Sequence, residues 1–310
     1  MLEIVLLIAG FILLIKGADI FVSASVGIAK KLKVPNVVIG LTIVAMGTSA
    51  PEVVISVTAS LQGSNDLAVS NIVGSNIFNL IFIVGLFALI KSLDFNVRDV
   101  IKDFSLSIAA AVLLLIIAVT SRFVSYDTRI AAGIMLTIFI IYMILLVKQA
   151  MRNKTADDSA EQQKPLILSV VFAVIGCAMI IFGGQLTVDN AVKIAETIGI
   201  TERVIGLTVI AIGTSLPELI TFGVACKKKE TGLAFGAIIG SNIFNILFIL
   251  GLAGLISPLS FDSAMVFDMG FLIFGSLITL LFVYTGKRLG RREGAVMLAL
   301  YLGYMAWVIV

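Results

Sequence analysis

The segment AMGTSAPEVVIS at residues 45–56 returns as AIGTSLPELITF at residues 211–222. Each copy places a glutamate, Glu52 or Glu218, directly after a proline and inside a long apolar stretch. A carboxylate within the hydrocarbon of a membrane is costly and usually marks a functional site. The repetition of this costly residue in the same local sequence predicts one site built from two related segments.

The composition indicates a polytopic α-helical membrane protein. Of the 310 residues, 60% are hydrophobic and 13% are charged, and the mean hydropathy is +1.15. Soluble domains are about half apolar and a quarter charged, and an apolar run of about 18 residues can cross the membrane. We predict ten transmembrane helices, at about 2–29, 36–61, 67–90, 103–120, 129–148, 166–198, 202–226, 231–256, 264–285 and 293–310. The sequence contains no histidine, which excludes imidazole metal ligands and histidine-based catalytic triads.

The two halves of the chain are internal repeats. One constant shift aligns GLTIVAMGTSAPE (40–52) with GLTVIAIGTSLPE (206–218), and LAVSNIVGSNIFN (67–79) with LAFGAIIGSNIFN (233–245). The predicted organisation is a first five-helix repeat at 1–150, a short cytoplasmic linker at 151–165, and a second five-helix repeat at 166–310. Because five is odd, the second repeat enters the membrane from the opposite side, and inverted repeats are typical of secondary transporters.

The distribution of basic residues predicts the orientation. With ten spans, most of the 22 Lys and Arg residues fall in the loops on one side of the membrane. Only Arg122, Arg129, Lys193 and Arg203 fall on the other side, and Lys16 lies within the first helix. The positive-inside rule then places both termini outside the cytoplasm.

The GTSxPE motif concentrates oxygen ligands within one helical turn. A proline lacks an N–H and clashes with the carbonyl four residues earlier, so helices 2 and 7 are expected to break at Pro51 and Pro217. The carbonyls before each break are expected to lose their partners, which is tolerated at membrane depth only inside protein or beside a polar cavity. Such oxygens suit Na⁺, Ca²⁺ or Mg²⁺, and here they would come from Ala45, Thr48, Ser49 and Glu52, and from Ala211, Thr214, Ser215 and Glu218.

The second repeated motif, GSNIFN, adds side chains to the same centre. Ser75 and Asn79, like Ser241 and Asn245, are four residues apart and share one helix face. Gly74 and Gly240 are expected to allow close helix approach. Inverted repeats would bring all four segments together, and the two carboxylates would then balance the charge of one Ca²⁺.

Structural roles are the alternative for several of these residues. Glycine and proline are frequent in ordinary transmembrane helices, so one GTSxPE motif alone would not identify a site. Asp19 and Asp189 have no acidic counterpart in the other repeat, and we interpret them as structural polar contacts. Asp19 lies three residues from Lys16, a spacing at which the two charges can neutralise each other.

The two copies of GTSxPE, each followed by GSNIFN, resemble the α-repeats of the cation/calcium exchanger superfamily, and particularly its sodium/calcium exchanger branch. The resemblance covers nearly the whole chain as a ten-helix, inverted five-plus-five layout. It implies a Na⁺-driven antiporter that extrudes Ca²⁺ by alternating access, with helices 1 and 6 sliding across the other eight.

The resemblance also implies roles for individual residues. Glu52 and Glu218 would be the central Ca²⁺ ligands, together with the backbone carbonyls of Thr48 and Thr214. The Na⁺ sites would use Ala45, Ser49 and Ser75 towards one side and Ala211, Ser215 and Ser241 towards the other, with Asn79 and Asn245 completing the centre. By the same resemblance, potassium-dependent members and some prokaryotic members carry Asp at the position of Asn245. The amide in this sequence therefore favours exchange without K⁺.

These observations favour Na⁺/Ca²⁺ exchange that moves net charge across a plasma membrane. The nearest alternative is a Ca²⁺/H⁺ or other divalent-cation antiporter that uses the same two glutamates. A cation channel and an intramembrane enzyme are less compatible with inverted repeats and with the absence of histidine. We expect Ca²⁺ and Na⁺ as substrates in a lipid bilayer, no cofactor, no nucleic-acid partner, and function as a monomer.

Overall fold

The computed structural model describes residues 2–94, 97–123, 127–152, 165–198, 211–286 and 288–309, and these residues are predominantly helical. Two short strands, β1 (Leu93–Asp94) and β2 (Arg288–Leu289), pair in antiparallel orientation with Leu93 opposite Leu289. The helices in chain order are α1 (Leu2–Leu32), α2 (Asn36–Thr48), α3 (Ala50–Leu61), α4 (Asn65–Ile90), α5 (Val97–Phe123), α6 (Thr128–Arg152), α7 (Leu166–Thr197), α8 (Ala211–Thr214), α9 (Leu216–Lys227), α10 (Thr231–Ile256), α11 (Ser263–Gly286) and α12 (Arg291–Ile309).

The helices identify a multi-pass membrane protein. Within the described residues, seven helices are long and apolar enough to cross a membrane, or eight when α2 and α3 count as one bent span. Most of the predicted linker, with Lys154 and Lys164, lies outside the described residues, as does the segment 199–210 with Arg203.

Helices α4 and α10 form the centre of the molecule. In their apolar segments, 72% and 94% of the residues are buried, compared with 28% in α1, α6 and α7. Helix α10 packs against α2, α5 and α9, while α4 packs against α3, α11 and α12. Outer helices expose large apolar side chains such as Ile8, Ile134 and Val174, as expected for surfaces that face lipid.

Both GTSxPE motifs place their proline in the first turn of a helix. Helix α2 ends at Thr48, Ser49 adopts a turn conformation (φ −82°, ψ 12°), and α3 begins at Ala50. The two helices meet at a bend of 51°. Pro51 is tolerated at the start of α3 because the N–H that it lacks would have no helical partner there. In the second motif, Ser215 (φ −94°, ψ 8°) separates α8 from α9 in the same way.

Helices α1 and α7 cross through paired glycines. A Cβ atom on Gly183 would lie 2.7 Å from the Leu14 nitrogen and 2.9 Å from the Gly10 oxygen. A Cβ on Gly17 would lie 2.9 Å from the Gly176 oxygen. Small residues at such contacts let two helix backbones approach closely in a membrane.

The GSNIFN glycines are expected to allow close helix approach, and Gly240 does so. A Cβ on Gly240 would meet the Leu41 oxygen at 2.6 Å, so α10 packs closely on α2 at this point. By the sequence repeat, the residue opposite Gly74 would be Leu207, which lies outside the described residues. Close approach at Gly74 therefore stays a prediction.

The predicted pairing of Asp19 with Lys16 is also wrong. Asp19 Oδ1 lies 2.8 Å from Lys228 Nζ, at the end of α9. The same ammonium group donates to Ser23 Oγ at 2.8 Å. Lys228, which follows α9, reaches the surface of α1 and takes the place of Lys16 as the ion-pair partner of Asp19.

Candidate cation-binding site

The two motif glutamates lie in the first turns of two helices and are buried. Glu52 belongs to α3 and Glu218 to α9, and their exposed fractions are 0% and 3%. A helix N-terminus favours negative charge, because its first N–H groups have no helical acceptor. Among the described residues, neither carboxylate forms an ion pair with Lys or Arg. The two acids thus lie in the interior, and no Lys or Arg of the described residues neutralises them.

Each glutamate receives a serine hydroxyl from the other repeat. Ser49 Oγ donates to Glu218 Oε1 at 2.9 Å, and Ser215 Oγ donates to Glu52 Oε1 at 3.4 Å. Both serines occupy the junction between two helices, α2 and α3 or α8 and α9. The helix break therefore places the hydroxyl of one motif beside the carboxylate of the other.

The GSNIFN serines approach the same centre in unequal ways. Ser75 Oγ donates to Glu52 Oε1 at 3.4 Å. Its counterpart, Ser241 Oγ, donates at 3.4 Å to the backbone oxygen of Ala45. The two serines are equivalent in the sequence repeat, but their hydroxyl groups donate to different kinds of acceptor.

The expectation that the carbonyls before the break lack partners is wrong at Ala45. The Ala45 oxygen accepts the Ser49 N–H at 3.1 Å and the Thr48 hydroxyl at 3.3 Å, besides the Ser241 hydroxyl. Polar residues of the motif turn back onto the backbone and satisfy the freed carbonyl, as serine and threonine often do in helices.

Several buried oxygens remain without a hydrogen-bond partner. Four of them belong to predicted site residues: Glu52 Oε2, Glu218 Oε2, Asn79 Oδ1 and Asn245 Oδ1. Unpartnered buried oxygens are uncommon and costly in folded proteins unless a ligand or ion satisfies them. Carboxylate and amide oxygens are the ligands that Ca²⁺ and other hard cations prefer, so this donor set fits such an ion.

The other predicted site residues lie in the same segments. Thr48 is 1% exposed and donates its hydroxyl to the Val44 oxygen at 3.1 Å. Thr214, at 8% exposure, ends α8, which begins at Ala211. Asn79 and Asn245 are the second residues of π-helical segments Phe78–Ile83 and Phe244–Leu250, a local geometry that is frequent at functional sites.

Two polar residues were not predicted from the sequence. Asn76 and Asn242 are 0% and 1% exposed and bond each other across the two halves. Both stand in GSNIFN, so their repetition in the two motifs was a signal that could have identified them. Asparagines so deeply buried require partners, and they join the same polar centre.

The site relies on few ionised ligands. Within the described part of the chain, no group of three or more His, Cys, Asp or Glu side chains could hold a metal ion. A resident transition metal usually relies on such ligands. The two carboxylates are accompanied instead by hydroxyl and amide oxygens, which are donors that hard cations accept.

The chain matches known proteins along almost its full length. The model of the family described as "Sodium/calcium exchanger protein" matches residues 2–148 and 168–310. The chain is 33% identical to "Sodium/calcium exchanger MaX1" of Methanosarcina acetivorans, covering 97% of this chain and 96% of that protein. It is 38% identical to "Putative antiporter CaxA" of Alkalimonas amylolytica, with 97% and 96% covered.

Solved structures support the same assignment. The fold matches the sodium-calcium exchanger NCX_Mj with a TM-score of 0.85 and 32% sequence identity, covering 99% of both chains. The likeness in sequence and fold thus extends over almost the whole of this chain. This protein is a member of the sodium/calcium exchanger family.

Proposed function

We propose that this protein exchanges Na⁺ for Ca²⁺ across the membrane by alternating access, without K⁺ and with net movement of charge. The supporting observation is the buried pair Glu52 and Glu218, each bonded to a serine of the other repeat and each retaining an unpartnered oxygen. Family membership and the likeness to sodium/calcium exchangers support cation/calcium antiport by this chain.

The proposed membrane arrangement has ten spans in two inverted repeats, 1–150 and 166–310, joined by the linker 151–165. Eight of these spans are the seven long apolar helices and the bent pair α2–α3 counted as one. The other two would be the span that contains the second GTSxPE motif and the helix α12. Both GTSxPE spans would be broken at their motif. Both termini would lie outside the cytoplasm of a plasma membrane, and a monomer would be sufficient for exchange.

The charge of the site supports exchange over leak. Two carboxylates without a partner cation resist movement through hydrocarbon, so the empty site is not expected to reorient easily. One Ca²⁺ or two Na⁺ would neutralise them. We propose that more than two Na⁺ bind, so that each cycle carries net charge and responds to voltage by about 2.3 kcal/mol per charge per 100 mV.

The proposed cation ligands are the glutamates, serines and amides of both motifs and the adjoining carbonyls. Ca²⁺ would bind Glu52, Glu218, Thr48 and Thr214. Asn245 supplies a neutral oxygen in place of a third carboxylate, which supports exchange without K⁺. The Na⁺ ligands would be Ala45, Ser49, Ser75, Ala211, Ser215 and Ser241, with Asn79 beside the centre.

Flux into proteoliposomes tests this function. Vesicles loaded with Na⁺ and diluted into Na⁺-free buffer should take up Ca²⁺, and Glu52→Gln or Glu218→Gln should reduce the uptake by at least about 100-fold, as loss of a charged ligand predicts. Glu196→Gln, at an exposed position of α7, is the matched control and should retain uptake. Full uptake by both site variants would contradict the proposal.

The same vesicles separate the finer alternatives. Exchange without K⁺ predicts equal uptake when choline replaces K⁺, and net charge movement predicts a current or a response to an imposed potential. Uptake driven by a pH gradient in the absence of Na⁺ would favour the Ca²⁺/H⁺ antiporter instead.

A further inference from the structure

Four asparagines of the two GSNIFN motifs form a buried cluster between α4 and α10. They are Asn76, Asn79, Asn242 and Asn245, none more than 1% exposed. The sequence repeat pairs Asn76 with Asn242 and Asn79 with Asn245. Their hydrogen bonds do not follow this symmetry, and the difference determines which atom of one amide is left free.

A backbone carbonyl fixes the orientation of Asn76. Asn76 Nδ2 donates at 3.2 Å to the Asn242 backbone oxygen, which can only accept. Asn76 Oδ1 therefore points to Asn245 and accepts a hydrogen bond from Asn245 Nδ2 at 3.0 Å. Since its nitrogen is engaged, Asn245 leaves its Oδ1 buried without a partner.

The corresponding arrangement is absent from the other half of the cluster. It would join Asn79 Nδ2 to Asn242 Oδ1, but neither of these atoms has a hydrogen-bond partner, and neither does Asn79 Oδ1. Asn242 Nδ2 reaches the Asn76 backbone oxygen at 3.5 Å, the outer limit for such a bond. Asn245 is thus anchored, whereas Asn79 is not.

Asn245 lies next to the helix that carries one of the glutamates. The π-helical segment Phe244–Leu250, which contains Asn245, packs against α3, where Glu52 lies. The free Asn245 oxygen and the free Glu52 oxygen are therefore contributed by two adjacent segments of the polar centre.

We propose that Asn76 is a positioning residue for cation binding, because it turns the Asn245 amide so that the oxygen, and not the nitrogen, is offered to the cation. This inference rests on the proposed function for the identity of its ligand. It also explains why an amide fits position 245. A carboxylate at position 245 would place an oxygen next to Asn76 Oδ1, and the two acceptors would repel each other. A flip of the Asn76 amide would not relieve this repulsion without cost, because Asn76 Oδ1 would then face the Asn242 backbone oxygen.

Direct binding of Ca²⁺ to the full chain in detergent, measured by titration calorimetry, tests the proposal separately from transport. Asn76→Leu should weaken Ca²⁺ binding by about 10- to 100-fold, as is typical for residues that orient a metal ligand. Asn245→Leu should weaken it similarly. Because Asn76 acts through Asn245, the double variant should be little worse than either single variant, which is the signature of coupled residues.

The pseudo-symmetric residue supplies the matched control. Asn242→Leu keeps the backbone carbonyl that orients Asn76, so its effect should add to that of Asn245→Leu. Should Asn76→Leu fail to fold, the smaller change Asn76→Ser takes its place in the same cycle. Additive effects of residues 76 and 245, or native Ca²⁺ binding by the Asn76 variants, would overturn the inference.

A second comparison tests the preference for an amide. Asn245→Asp should lower the melting temperature, and adding Asn76→Ser should restore part of the loss because a hydroxyl can donate to a carboxylate. No restoration would contradict the role assigned to Asn76. Failure of the proposed function would look different, since the native protein itself would then show no Na⁺-dependent Ca²⁺ uptake.

Discussion

Three buried or half-buried carboxylates of the described residues accept a hydrogen bond from a hydroxyl group of another segment. Glu218 accepts from Ser49, and outside the candidate site Asp103 accepts from the Tyr142 hydroxyl at 2.9 Å. Asp268 accepts from the Tyr304 hydroxyl at the same distance. A neutral donor lowers the cost of burying a carboxylate without adding a second charge.

The tyrosine pairs give a prediction at the scale of the residue. Tyr142→Phe removes the hydroxyl that donates to the half-buried Asp103 carboxylate, and it should destabilise the protein by about 1–3 kcal/mol. Thermal unfolding in detergent measures the effect as a lower melting temperature. Tyr284→Phe, at a side chain that is 69% exposed, is the control, and an equal melting temperature for both variants would contradict the prediction.

Helix breaks determine the geometry of the site at the scale of the element. The turn at Ser49 ends α2 at Thr48 and starts α3 at Ala50, and the resulting bend is 51°. This turn directs Ser49 to Glu218 of the other repeat. A continuous helix would carry Ser49 along one regular helix surface and would not provide this junction.

Restoring the helical hydrogen bond at the break is expected to harm cation binding without harming the fold. If α2 continued into α3, residue 51 would lie in a helix interior, where alanine is favoured over proline by about 3 kcal/mol. Pro51→Ala permits this continuous helix because its N–H can bond the Gly47 carbonyl. Ca²⁺ affinity should fall by about tenfold or more because the ligands move, while the melting temperature is maintained or rises.

Pro165→Ala, at the exposed residue before α7, is the control for the Pro51 experiment and should bind Ca²⁺ normally. Titration calorimetry and thermal unfolding give the two readouts. Native affinity in Pro51→Ala would show that the break does not position the ligands.

The whole molecule is built from two similar halves that meet at close range. The deeply buried α4 and α10 occupy the centre, and the glycine-lined crossing of α1 and α7 packs against α2 and α9. Gly10 and Gly17 have Gly176 and Gly183 as their repeat counterparts, and each glycine contacts a glycine of the opposite half. The crossing therefore depends on both repeats together.

A methyl group added at the crossing of α1 and α7 should destabilise the protein, whereas one added on an open helix surface should stabilise it. Gly183→Ala would press a Cβ against the Leu14 and Gly10 backbones, and such overpacking costs about 1–3 kcal/mol. Gly270→Ala in α11, where a Cβ would meet no atom of the described residues within 4 Å, should stabilise the protein by about 0.4–1 kcal/mol. Melting temperatures that shift in the same direction would contradict this packing.

Sequence by itself was sufficient for the class of protein, the family and the principal acids. Hydropathy identifies membrane helices because the membrane core requires apolar surface and internal backbone bonding. The duplication of GTSxPE identified Glu52 and Glu218 as candidate site residues. A carboxylate is costly to bury in a membrane, and packing alone does not explain why both repeats contain one at the same position. These features are local or repetitive, so they can be read without coordinates.

Only the tertiary structure decided which groups meet. Ser49 pairs with Glu218, Asp19 pairs with Lys228, and Asn76 orients Asn245 although its repeat counterpart orients nothing. The sequence contains nearly identical motifs in both halves, whereas packing of the helices places different neighbours around each copy. Long-range contacts of this kind depend on the angles and distances between helices, which local sequence does not encode.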